Sequence, residues 1–162
     1  MNNKDASHHD KIDAAAIAEQ AKVELDVLLG IEKALRIAID WEVKEGSPAH
    51  KLSTLRFLTD SFERHLTRIT VRADQGGYMH RITDAKPHLT NDVLALRDTL
   101  RGFRTDLERI VMRLDYIAPG DERGVRNICL DFKSVLDGLS SHGQKKSDLA
   151  QHAYAQEEGG EG

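Results

Sequence analysis

The chain has 162 residues, 40% of them apolar and 31% charged, with only 3 prolines. That length fits one domain with a real core, and the composition belongs to a helical, charge-covered protein rather than a disordered one. A net charge of −4 provides no basic field for nucleic acid or an anionic membrane, and aromatics at 5% leave little for a base-stacking surface.

The single cysteine, Cys129, cannot form an intramolecular disulfide, so a reducing interior is expected. No apolar run approaches the roughly 20 residues of a membrane span. MNNKDASHHD lacks the apolar core of a secretory signal. These features predict a cytoplasmic protein with neither a nucleic-acid nor a membrane partner.

In chain order, Met1–Asp10 reads as a polar, flexible end. Lys11–Lys44 reads as one long helix, with Ile17, Ala21, Leu28, Ile31, Leu35 and Ala38 at helical spacing and no internal proline. Gly46, Ser47 and Pro48 supply a C-cap, an N-cap and a first helical residue. Pro48–Ala73 is the second helix, with a stripe of Leu55, Leu58, Phe62, His65, Ile69 and Ala73, ended by Asp74-Gln75-Gly76-Gly77. Tyr78–Tyr116 carries a seam from Ile82 through Ala85, Leu89, Val93, Leu96, Leu100, Phe103, Leu107 and Ile110 to Leu114. Pro87 either kinks this stretch or marks a helix that starts near Asp84. After the Ala118–Asp121 turn, Glu122–Ala153 forms the fourth helix along Val125, Ile128, Phe132, Val135, Leu139, His142, Lys146 and Leu149. Residues 154–162 are an acidic, flexible end. Four long helices with short connections predict an all-α, up-down-up-down antiparallel four-helix bundle over residues 11–153.

Five polar groups fall on the apolar stripes: Glu24, Glu42, His65, His142 and Lys146. His65 and His142 stand on helices two and four, each either a satisfied core residue or a ligand. Bundle cores assemble metal sites from such groups on facing helices. Glu24 projects onto the apolar face of helix one, and a buried carboxylate needs a partner. Antiparallel pairing about Gly46 brings residue 24 near residues 68 and 69, one turn from His65. A Glu24–His65 hydrogen bond would satisfy both groups without metal; a mononuclear site shared with His142 is the other option.

The element order, with Phe62-x-x-His65 on helix two and Leu139-x-x-His142 on helix four, resembles the hemerythrin-like (HHE, cation-binding) family of four-helix bundles. The opening run Asp26–Ile39 is similar to that family's first helix, where Glu32 falls nearest the family's histidine. His88 is the candidate for the inward histidine of helix three. The resemblance implies a non-haem iron site that binds oxygen, nitric oxide or iron, with His65, His142, Glu24, Glu32 and His88 as the available ligands. Four residues after each helix histidine the family has a bridging carboxylate; here stand Ile69 and Lys146. The expectation is therefore a binding or regulatory module, not an enzyme, with a depleted metal site and no cofactor. A functional iron protein that senses or carries a diatomic gas is the alternative.

A histidine phosphotransfer module, using an exposed His88 or His80, is a further reading. No nucleophile-elbow or phosphate-loop pattern occurs. Arg97, Arg101, Arg104 and Glu108 share the outer face of helix three, a solvated face or a docking surface for a protein partner or a second copy.

Overall fold

The computed structural model describes residues 3–42, 48–74, 82–84 and 86–155. Among the described residues there are four long helices, α1 (Asn3–Asp40), α2 (Pro48–Asp74), α3 (Thr90–Tyr116) and α4 (Glu122–Ala155), and residues 82–84 are helical as well. Among the described residues there is no strand. Each helix packs beside its neighbours in sequence, and α4 closes against α1, as in an up-down-up-down bundle. Cross-links give the directions. Arg36 reaches Asp137 and Asp40 lies near Lys133, so α1 and α4 run antiparallel. Arg113 bonds Asp131 while Leu96 meets His142, so α3 and α4 do as well.

Local chemistry sets the boundaries. Helix α1 begins at Asn3, inside the segment expected to be a flexible end, because KDASHHDKIDAAA holds no proline or glycine to stop it. At its other end α1 stops at Asp40 rather than Lys44. Here the Lys51 ammonium donates to the carbonyls of Ile39 (2.8 Å) and Trp41 (2.7 Å), satisfying the orphan acceptors of the helix end. The expected cap at Gly46-Ser47, the Gln75–Gly77 break, Ala85, His80 and the acidic end after Ala155 lie outside the described residues.

Helix α3 does not start at Asp84. Pro87 forces Lys86 off the helical conformation (φ −134°, ψ 76°), a 3-10 turn spans Pro87–Leu89, and α3 follows from Thr90. Helix α4 starts where Asp121 Oδ1 accepts the backbone N–H of Gly124 at 2.8 Å, an N-cap bond to the third helical residue.

The core falls into two clusters. The larger one includes Leu35, Leu52, Leu55, Phe62, Leu107, Leu114, Phe132 and Leu136. The smaller gathers Ile82, Leu89, Val93 and Ala153, with Leu149 against them. On α2 the buried line is Leu52, Leu55, Thr59, Phe62, Leu66 and Thr70. It is rotated from the expected stripe because the two threonines bury themselves: Thr59 Oγ1 donates to Leu55 O (2.6 Å) and Thr70 Oγ1 to Leu66 O (2.7 Å). Leu58, His65 and Ile69 are consequently half-buried, at the flank of the core.

Candidate functional site

The most polar stretch of the interior lies on α4 between the two clusters. Leu139 still packs on the large cluster, Leu149 and Ala153 belong to the small one, and His142 and Lys146 stand between them, both half-buried. The interruption continues onto α3, where Val93 joins the small cluster with Leu89 of the preceding turn, and Leu100 and Phe103 join the large one. There the carbonyl of Leu96 accepts a hydrogen bond from His142 Nε2 at 2.9 Å. The Phe103 ring meets the imidazole edge-on, centroids 6.3 Å apart. Burial pushes the His142 pKa below its usual value; the Leu96 bond opposes that, and the Lys146 and Lys145 charges add to it. Burial alone lowers the Lys146 pKa. His142 thus keeps a neutral ring with its Nε2 proton committed to a backbone carbonyl, beside an ammonium that has lost part of its hydration.

The other candidate ligands are dispersed or engaged. His65 Nδ1 is buried with no hydrogen-bond partner. Glu24 is half-buried and takes part in an interaction of its own. The expected Glu24–His65 hydrogen bond is therefore not made through that ring nitrogen. Glu32 is taken up by Arg36: its Oε1 accepts Arg36 Nε at 3.1 Å, Arg36 Nη2 at 2.9 Å and Ser140 Oγ at 3.2 Å. Arg36 in turn donates to Asp137 at 2.7 Å, an ion-paired strap from α1 to α4. The guanidinium pKa is raised, chiefly by the Asp137 bond. His88 is exposed in the 3-10 turn rather than inward on a helix. Among the described residues no three histidines, cysteines or carboxylates gather where a metal ion would sit.

This donor set does not fit an iron centre. Iron wants imidazole together with hard oxygen ligands. The positions one turn beyond His65 and His142 hold an alkyl group and a cation. A second positive charge about 4 Å from an ammonium costs roughly 4 kcal/mol at an effective dielectric of about 20. Comparison with family models, with curated proteins and with solved structures finds no match.

No pattern in the sequence marks Lys51, which is only 8% exposed. A positive charge in the first turns of α2 looks like any solvated lysine until the end of α1 is seen folded over it. Lys51 borders a cleft of about 530 Å³ at that end of the bundle, lined also by Trp41, Val125, Arg126 and Cys129. Cys129 is buried; burial raises its pKa, and the Lys51 charge partly offsets this. Because the ammonium is spent on two carbonyls and the rim mixes Asp40, Glu42 and Glu122 with Arg126, the cleft presents no single charge to a ligand. The outer face of α3 is likewise self-neutralised: Arg101 pairs with Asp98 (3.3 Å) and Arg109 with Asp106 (2.9 Å), both exposed. No described helix is long and apolar enough to cross a membrane.

Proposed function

We propose that the chain is a hemerythrin-like bundle whose metal centre has been given up, and that it works as a non-catalytic binding or regulatory module. The observation that carries this reading is the pair His142–Lys146. The ring nitrogen is bonded to the Leu96 carbonyl, and the next turn of the seam brings an ammonium where a bridging carboxylate would complete a metal layer. The Glu32–Arg36–Asp137 strap supports it, because the nearest carboxylate is committed to holding α1 against α4. A phosphotransfer role is disfavoured by the position of His88, which is in a 3-10 turn and not on a long helix face.

Calorimetric titration of chelator-stripped protein with iron(II) and with zinc tests the reading. The expected result is no saturable heat. Stoichiometric binding that disappears in His65→Ala would overturn it and restore a working metal protein built around the partnerless His65 Nδ1.

A further inference from the structure

Helix α1 carries a second apolar line that the bundle does not cover. Val23, Val27, Gly30, Ala34 and Ile37 alternate by four and three residues, the spacing of a coiled-coil seam. They lie about 100° round the helix from the buried line of Leu28, Ile31, Leu35 and Ala38. Val23 is 53% exposed, Val27 40% and Ile37 65%.

Gly30 is the second observation. A glycine is unfavourable in a helix interior, and a Cβ built on Gly30 would meet nothing within 4 Å. Gly102 in α3 and Gly143 in α4 are equally open, so Gly30 matters only by its place on the uncovered line, where it leaves room for a helix to cross close by.

The flanking charges select the occupant. Asp26 and Lys33 border the line on its solvent side, are exposed, and make no ion pair among the described residues. In an antiparallel pairing of α1 with itself about a two-fold axis near Gly30, Asp26 of each copy faces Lys33 of the other. Val27 then meets Gly30 of the second copy, and Val23 meets its Ala34. In a parallel pairing the residues facing Asp26 and Lys33 would be Ile31 and Ala38, which pack in the core of their own chain.

We infer that α1 docks antiparallel onto α1 of a second copy of this chain, through the Val23–Ile37 line, with the closest approach at Gly30. The dimer closes on itself, as an isologous contact must. This interface is independent of the metal reading, because none of its residues is a candidate ligand.

Light scattering coupled to size exclusion, over a concentration series of the full chain, tests it. The expected mass is twice the 18.1 kDa of one chain. Ile37→Asp and Gly30→Leu should each give the single-chain mass while circular dichroism shows an undiminished helix content; Gly30→Leu improves the intrinsic helix propensity, so its loss of mass reports docking rather than unfolding. Lys33→Asp should weaken association by roughly tenfold, since two like-charge pairs replace two attractive ones. Combining it with Asp26→Lys should restore the original affinity. A wild-type chain that stays single at every concentration overturns the inference, as does a dimer indifferent to Ile37→Asp and Gly30→Leu. A dimer weakened by Ile37→Asp but unaffected by Lys33→Asp overturns the antiparallel arrangement.

Discussion

Two consecutive stretches of α4 follow one helical seam and are held by different forces. From Val125 to Leu139 the seam is apolar, with Phe132 and Leu136 fully buried in the large cluster. From His142 to Lys146 it is polar and half-buried, and its stability comes from one backbone hydrogen bond and a ring contact. The first stretch makes the fold. The second only has to be tolerated by it, because a buried polar group repays its desolvation only when it finds partners. A seam can therefore keep its phase while its role changes from core to interruption.

Truncation in the first stretch should have the largest effect. Phe132→Ala removes a fully buried ring and is expected to lower unfolding free energy by about 3–5 kcal/mol in denaturant titration. A loss under about 1 kcal/mol would mean that the large cluster does not dominate stability. Next comes the bundle end that this stretch helps close. Lys51→Met keeps the length of the stem but removes two hydrogen bonds from a charged donor to the end of α1, for an expected loss of about 2 kcal/mol. A variant within error of wild type would show that water replaces the ammonium there without penalty.

Substitution in the polar stretch should act in the opposite direction. Lys146→Met exchanges a partly dehydrated cation for an apolar chain of similar length, and is expected to raise stability by about 1 kcal/mol. A clear loss instead would reveal an attractive partner for the ammonium and would weaken the contrast between the two stretches.

The smallest effect separates them by pH. His142 has a folded-state pKa below its ordinary 6.5. The unfolded chain therefore takes up the proton first as pH falls. The native fold keeps its full relative stability above the unfolded pKa, loses it on descending through the window between the two values, and loses no more below the folded one. Wild type should lose more stability between about pH 7.5 and about pH 5.5 than His142→Gln does, with both measured by urea midpoint. Equal losses would mean that the ring is not desolvated.

The bundle was legible in the sequence because apolar periodicity survives on every helix. On α3 the expected seam is buried at Val93, Leu107, Ile110 and Leu114 and half-buried between them at Leu96, Leu100 and Phe103. Helix α2 was read one step off. Thr59 and Thr70 look like solvent-facing polar residues, and nothing in a sequence shows that their hydroxyls will bond the carbonyl four residues back and so permit full burial. That rotation moved His65 from the centre of the core to its edge. The site was less legible than the fold. His142 and Lys146 were visible as breaks in a stripe, but the fate of Glu32 depended on Asp137 and Ser140, about a hundred residues away in the chain. Pro87 was recognised as a break, and the kinked alternative is the one realised: residues 82–84 are helical before it, and the chain turns helical again after it because the proline forces Lys86 off the helix.

The central claim is that the polar stretch holds its histidine by the Leu96 carbonyl rather than as a metal ligand. Thermal melting of the chelator-stripped chain with and without excess iron(II) tests it directly, since a ligand bound only by the native state at about 100 times its dissociation constant stabilises by roughly 2.7 kcal/mol. Coincident melts are expected. A rise of several degrees that is lost in both His65→Ala and His142→Ala would contradict it.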